Sequence, residues 1–137
     1  MADPVRISSN ILEAMLEHAH RESHIECCGL LAGRDGMITA IYPAANALGS
    51  ATVYEIAPKE LFQMFREMRE EGLTHLGQYH SHLLTENFPS SSDIEQAGYP
   101  EQAYFIMSLR VDAPKNVRAF SIRDGVVSEL EIIRVEE

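Results

Sequence analysis

Basic residues are scarce in this sequence. Its 137 residues include 11 Lys and Arg against 21 Asp and Glu, which gives a formal net charge of −10 at pH 7. Binding to nucleic acid or to an anionic membrane surface needs clustered positive charge. The charge balance therefore argues against nucleic acid and membranes as direct partners.

Cysteines and long apolar runs are also few. The only two cysteines, Cys27 and Cys28, are adjacent. They cannot cross-link distant parts of the chain or supply the separated cysteine pairs of a zinc ribbon, and we expect them in the core. No apolar run approaches the roughly 20 residues of a membrane helix, and the N-terminal stretch lacks the pattern of a secretory signal. We therefore expect a cytoplasmic protein.

The composition that remains is that of a folded domain. Hydrophobic residues make up 45% of the sequence and charged residues 23%, proportions typical of globular proteins. A chain of this length can bury a substantial core. Because no repeat, linker or low-complexity segment divides the sequence, we predict a single domain over residues 1–137.

The apolar pattern predicts helices and strands in mixed order. Helical spacing predicts a helix from a capping box at Asn10 and Glu13 to about His20, a second over residues 58–71 and a short third over residues 90–98. Strands are predicted for CCGLLAG and, after a turn at Arg34-Asp35-Gly36, for its return strand MITAIYPAAN, with further strands at ATVYEIA, THLGQYHSH and AYFIMSLRV. A hairpin around Asp124-Gly125 is predicted for VRAFSIRDGVVSELEIIRV. This order favours an α/β fold, a mixed β-sheet flanked by helices, over a regularly alternating doubly wound fold.

The segment HSHLLTENFPSSSD, residues 80–93, holds candidate metal ligands. Side chains two apart on a strand point to the same face, so His80 and His82 project together, about 6.5–7 Å apart along the backbone. Asp93 follows near the first turn of the predicted third helix, where it is placed to be a third ligand. Two histidines and one carboxylate leave a fourth tetrahedral position for water, as catalytic zinc requires.

These residues also have a simpler interpretation. A single His-x-His on a strand is a weak sign of metal binding, and the three serines with Asp93 are typical of an ordinary helix cap. The two interpretations are compatible, because a cap can hold a ligand carboxylate in place. A Cys/His protease is disfavoured, since it would leave the spacing from His80 to Asp93 unexplained.

Taken together, the motif resembles that of a known family, the JAMM or MPN-plus metalloproteases. Their signature is an upstream glutamate, then H-[S/T]-H, seven residues, Ser, two residues and Asp, and every spacing matches in residues 80–93. The segment ECCGLL, residues 26–31, is similar to the family's E-x-C-G-L-L element. The resemblance spans nearly the whole chain and implies a cytidine-deaminase-like JAMM/MPN core.

The resemblance implies a role for each residue of the motif. His80, His82 and Asp93 would bind one catalytic zinc ion, Glu26 would be the general base that activates water and later protonates the leaving amine, and Ser90 would hydrogen-bond the oxyanion. Such groups supply proton transfer and transition-state stabilisation. On its own, Glu26 could equally be a solvated charge near a helix end.

The resemblance also implies a class of substrate. The compact chain is similar to prokaryotic members, so we expect hydrolysis of a peptide or isopeptide bond after the Gly-Gly tail of a ubiquitin-like or sulfur-carrier protein. The alternatives are a non-catalytic MPN scaffold and a cell-wall peptidase. Family members often have proline after the second histidine, where this chain has Leu83, and we expect that difference to affect the loop or the substrate cleft. The sequence does not determine the oligomeric state, and a homodimer is one of the alternatives.

Overall fold

The computed structural model of the protein describes residues 3–136, within which eight strands and three helices alternate irregularly. In chain order they are β1 (Val5–Ser8), α1 (Ser9–Arg21), β2 (Cys28–Arg34), β3 (Met37–Ala44), α2 (Pro58–Glu70), β4 (Thr74–His82), α3 (Ser91–Glu95), β5 (Ala103–Ser108), β6 (Val117–Arg123), β7 (Val126–Leu130) and β8 (Ile132–Val135). No helix of this described range is long and apolar enough to cross a membrane.

All eight strands join one mixed sheet in the order β7-β6-β5-β4-β2-β3-β1-β8. Strand β4 lies near its centre, antiparallel to β2 and parallel to β5. Helix α1 packs Leu12 and Met15 into the core on one face, and α2 packs Met64 and Met68 on the other. The predicted α/β sheet flanked by helices is confirmed.

The two predicted β-hairpin turns are confirmed. Asp35 and Gly36 have φ angles of 54° and 74°, and Asp124 and Gly125 have φ angles of 50° and 77°. Positive φ at both central residues is typical of the type I′ turn, whose twist matches that of paired strands. The first turn joins β2 to β3, and the second joins β6 to β7.

The hairpin prediction was wrong beyond residue 130. Strand β7, which pairs with β6, ends at Leu130. After the single residue Glu131 the chain continues as β8, which pairs in parallel with β1 from Val5↔Ile132 to Ser8↔Val135. The amide of Val5 also donates to the Glu131 carbonyl at 2.9 Å. Strand β1 was not predicted, because its four residues gain their partners from β3 and from the far end of the chain.

Several predicted element boundaries are also corrected. Helix α1 has Ser8 rather than Asn10 as its N-cap, and no side chain caps it. Helix α2 ends at Glu70, one residue early, and α3 ends at Glu95 rather than residue 98. These shifts move no candidate site residue.

The prediction of a strand at ATVYEIA was wrong. Residues 45–57 contain no strand, and the side chain of Asn46 takes hydrogen bonds that a strand partner would otherwise make. Its Nδ2 donates to the Val53 carbonyl at 3.0 Å, and its Oδ1 accepts from the Glu55 amide at 3.3 Å. A buried asparagine thus replaces a sheet partner for this loop.

Candidate metal centre

The end of β4 and the start of α3 bring the three predicted ligands together. Nε2 of His80 and Nε2 of His82 lie 3.2 Å apart, and Oδ2 of Asp93 lies 3.1 Å from each. Both histidines are buried, and the Asp93 side chain is 10% exposed. One atom from each residue therefore faces a common point.

This triangle has the size that a small tetrahedral cation requires. Bonds of 2.0–2.1 Å from zinc to nitrogen or oxygen place neighbouring tetrahedral ligand atoms about 3.3 Å apart. The observed separations of 3.1–3.2 Å between His80, His82 and Asp93 are close to that value. The three residues fit three corners of a zinc site, and the fourth corner would be left for water.

Hydrogen bonding also directs the ligand atoms of His82 and Asp93. Nδ1 of His82 lies 2.7 Å from the Glu86 carbonyl, which can only accept, so Nδ1 donates. A neutral His82 then turns the lone pair of Nε2 toward the site, as metal-binding histidines do. Burial would raise the pKa of Asp93, but its interactions with His80 and His82 outweigh burial and lower it. The lone pairs of His82 Nε2 and of the Asp93 carboxylate are therefore directed to a point where a cation can bind.

The N-terminus of α3 combines a helix cap with a ligand. Oγ of Ser90 accepts a hydrogen bond from the Asp93 amide at 3.1 Å, and Oδ2 of Asp93 accepts one from the Ser90 amide at 2.9 Å. This reciprocal pair is a capping box. Both interpretations of the serine–aspartate segment thus hold geometrically, because the cap orients the same oxygen that faces His80 and His82.

Glu26 is buried beside this triangle at the entrance to β2. It is 4% exposed, and its Oε1 has no hydrogen-bond partner in the described part of the chain. Burial raises its pKa to about 7, with His82 lowering it and Asp93 raising it. A carboxyl with this pKa can both accept and return a proton near neutral pH. The alternative of a solvated charge is therefore wrong.

Two further residues shape the site and were missed in the sequence. The ring of Tyr54 stacks on His80, with centroids 4.5 Å apart and planes 25° from parallel. Asn46 is 8% exposed and donates from Nδ2 to the carbonyl of Glu26 at 3.0 Å. No spacing motif marks either residue, because their partners lie in other segments and include main-chain atoms.

The loop between His82 and Ser90 is held from several sides. Asn87 is buried and donates from Nδ2 to the carbonyls of Ile106 and Lys115, at 3.3 and 3.1 Å. The Ser108 hydroxyl donates to the Thr85 carbonyl at 3.2 Å. The segment that contains Leu83 is thus fixed to β5 and to the loop that follows it, without a proline at position 83.

The two cysteines lie in the core, as predicted. Both are free and buried, and the Cys27 amide donates to Oγ of Ser81 at 2.9 Å. Burial raises the pKa of the Cys27 thiol to about 11 and that of Cys28 to about 12. Since the thiolate is the nucleophilic form, neither residue is suited to attack a substrate near neutral pH.

The fold and the site define a class of protein: an α/β domain with a candidate His-His-Asp metal centre and a buried glutamate beside it. The chain belongs to the family described as prokaryotic homologs of the JAB domain, whose model matches residues 8–123. The resemblance of the motif to JAMM proteins is confirmed.

Curated relatives cover most of the chain. It is 33% identical over 133 residues to the CysO-cysteine peptidase of Mycobacterium tuberculosis, covering 96% of this chain and 91% of the relative. It is 30% identical over 109 residues to the desampylase of Haloferax volcanii, covering 74% and 78% of the two chains.

Solved structures share the fold. A protein of Desulfitobacterium hafniense aligns with a TM-score of 0.86 and 35% identity, covering 96% of this chain and 93% of that one. A JAB1/MPN domain protein from Archaeoglobus fulgidus aligns with a TM-score of 0.59 and 19% identity, covering 96% and 99%. The second likeness concerns the fold alone.

Proposed function

We propose that this protein is a zinc-dependent JAMM-type peptidase that hydrolyses the peptide or isopeptide bond after the Gly-Gly tail of a ubiquitin-like or sulfur-carrier protein. The observation that carries the proposal is the near-equilateral triangle of His80, His82 and Asp93 beside a buried Glu26. The names of the two curated relatives, CysO-cysteine peptidase and desampylase, support this substrate class.

In this proposal each side chain has a separate task. His80, His82 and Asp93 hold the ion, which when bound would polarise the scissile carbonyl and lower the pKa of an attacking water. Glu26 accepts the proton of that water and returns it to the leaving amine. The Ser90 hydroxyl already accepts the Asp93 amide through its oxygen, so its hydrogen is available for the developing oxyanion.

Glu26 is suited to this exchange by its surroundings. A pKa of about 7 makes the carboxylate a stronger base than a solvated glutamate, yet leaves it ionised in part of the population at neutral pH. Its main chain is fixed on both sides, because its amide donates to the Ser50 carbonyl and its carbonyl accepts from Asn46. The base therefore keeps its position while it gains and loses a proton.

The remaining expectations belong to the same proposal. Residues 1–137 would form one JAMM domain, and the free, adjacent Cys27 and Cys28 favour a cytoplasmic location. A non-catalytic scaffold would have no need of a complete ligand triangle with a buried base. The scaffold and the cell-wall peptidase differ from the proposed function in the zinc content or the cleavage that they predict.

The test measures metal content and cleavage together. Purified protein is analysed for zinc and incubated with a Gly-Gly-tailed carrier that bears a C-terminal extension, and we expect about one zinc per chain and release of the extension. His82→Ala removes a ligand and should abolish both. His20→Ala is the matched control, because His20 is exposed on α1.

Three results would contradict the proposal. Wild-type protein without zinc, or His82→Ala that retains zinc as the wild type does, would favour the scaffold. Zinc-loaded protein that cleaves none of several Gly-Gly carriers, yet cleaves cell-wall peptides, would favour the peptidase alternative.

A further inference from the structure

A cavity of about 210 Å³ opens directly beside Asp93. Most of its wall is aromatic or aliphatic, and we name it the tyrosine cavity. The residues that line it are Leu30, Tyr54, Glu55, Ile56, Leu61, Gln78, Ser92, Asp93, Gln96, Tyr99 and Tyr104. It shares Asp93 with the metal centre, and its wall includes the Tyr54 ring that stacks on His80. A substrate bound at the candidate metal centre would therefore lie next to the opening of the tyrosine cavity.

The charged groups of the cavity disfavour an acidic occupant. The buried amide of Gln78 is engaged within the protein, because its Nε2 donates to the Ala103 carbonyl at 3.1 Å and its side chain interacts with that of His75. Glu55 and Asp93 are acidic, and no Lys or Arg of the described chain lines the cavity. Acidic side chains are thus disfavoured as occupants.

The position of the cavity along β4 assigns it to one side of the scissile bond. Gln78, His80 and His82 project from the same face of β4 in that order. Cys28 pairs with His80 across the antiparallel β2–β4 ladder, and the Ser81 amide donates to the Cys27 carbonyl, so Glu26 lies at the His82 end of β4. The cavity lies instead at Gln78. Since Glu26 returns the proton to the leaving amine, the amine lies toward His82. The acyl part of the substrate then extends toward the cavity.

We propose that the tyrosine cavity binds the side chain of the residue immediately before the Gly-Gly tail, and that it prefers a large apolar or aromatic side chain. This inference rests on the proposed function. The two glycines carry no side chain, so in an extended tail, at about 3.3 Å per residue, the preceding residue is the first that can fill the cavity.

The test uses a series of carriers that differ at one position. The residue before Gly-Gly is Tyr, Phe, Ala or Glu, and the C-terminal extension is constant. For wild-type protein we expect kcat/KM for the Tyr and Phe carriers to exceed that for the Ala carrier at least tenfold, and the Glu carrier to be cleaved most slowly.

A bulky substitution in the wall provides a second readout with a matched control. Leu61 faces the cavity from α2, while its neighbour Phe62 is 67% exposed. Leu61→Trp should bring the ratio of kcat/KM between the Phe and Ala carriers close to one, and Phe62→Trp should leave that ratio unchanged. Binding of the cleaved tails, measured by titration on metal-free protein, should show the same preference without catalysis.

The outcomes separate this inference from the proposed function. If no carrier is cleaved, the proposed function fails. If all four carriers are cleaved at equal rates, the proposed function stands and the cavity assignment is wrong. In a second carrier series, the residue before Gly-Gly is constant and the first residue of the extension varies. If Leu61→Trp alters only the dependence on that first residue, the cavity belongs to the leaving side and the assignment is overturned.

Discussion

Glu26 is an ionisable side chain that the fold holds in an unfavourable environment. Its pKa is raised by burial from 4.5 to about 7, so the protonated form is the favoured one in the folded protein. Stability linked to this group is fully present below pH 4.5 and is lost as the pH rises through 7. Above pH 7, the buried carboxylate opposes folding.

Glu26→Gln should therefore stabilise the metal-free protein in alkaline solution. A pKa raised by this amount corresponds to roughly 3 kcal/mol of unfolding free energy, an upper value. We expect the melting temperatures of variant and wild type to coincide near pH 4 and to diverge by pH 8, with the variant higher. Glu17→Gln is the control, because that side chain is 80% exposed. The same difference in melting temperature between Glu26→Gln and wild type at pH 4 and at pH 8 would contradict the expectation.

The ligands and their auxiliary residues differ in how far the sequence reveals them. His80, His82 and Asp93 could be predicted because a strand period and a helix cap place them, and both are local patterns. Tyr54 and Asn46 could not, because their roles depend on contacts with distant segments that only the folded chain brings close. The family motif supplied Glu26, whose isolated sequence context is ambiguous.

Among the elements, the loop of residues 45–57 depends on one buried side chain. Asn46 donates to three carbonyls and accepts from two amides. The carbonyls belong to Glu26, Ser50 and Val53, and the amides to Leu48 and Glu55. The same loop carries Tyr54, whose ring stacks on His80, and holds the main chain of Glu26. Asn46 therefore connects the tyrosine cavity to the proposed general base.

Asn46→Ala should weaken both stability and catalysis. Leaving buried carbonyls and amides without partners costs on the order of 2–3 kcal/mol, and a displaced Glu26 should lower kcat more than it raises KM. Urea unfolding and steady-state cleavage measure these effects. Asn10→Ala is the matched control, since Asn10 is exposed on α1. Wild-type stability and kcat in Asn46→Ala would show that the loop of residues 45–57 keeps its conformation without the Asn46 hydrogen bonds.

Elements defined by local pattern were predicted, and those defined by distant partners were not. The two type I′ turns, the central strand β4 and helices α1 and α2 follow from turn residues and periodicity. ATVYEIA has the composition of a strand, yet the side chain of Asn46 provides its partners. Strand β1 is short and pairs with β3 and β8, and β8 was predicted only as a continuation of the β7 strand rather than as a partner of β1.

At the scale of the whole molecule, the metal centre joins parts that the chain separates. His80 and His82 belong to the central strand, while Asp93 belongs to a five-residue helix with no fully buried residue. A bound ion would fasten α3 to the sheet. Anything that binds only the folded state stabilises it by mass action.

Zinc should therefore raise the melting temperature of the whole protein. At a hundredfold excess over the dissociation constant the gain is about 2.7 kcal/mol, which for a chain of this size is a shift on the order of 5–15 °C. Chelation should reverse the shift, and Asp93→Ala should show a much smaller one. Asp112→Ala is the control, because Asp112 pairs with Arg110 on the surface. An equal shift in Asp93→Ala would place the ion elsewhere.

The pairing of β1 with β8 bears on synthesis of the chain by the ribosome. Strand β1 emerges early, but the partner of its outer edge consists of residues 132–135. Until those residues leave the exit tunnel, that edge offers unpaired amides and carbonyls to other nascent chains. Translation that stalls before residue 132 should therefore yield an aggregation-prone product, although every residue of the metal centre has already been made.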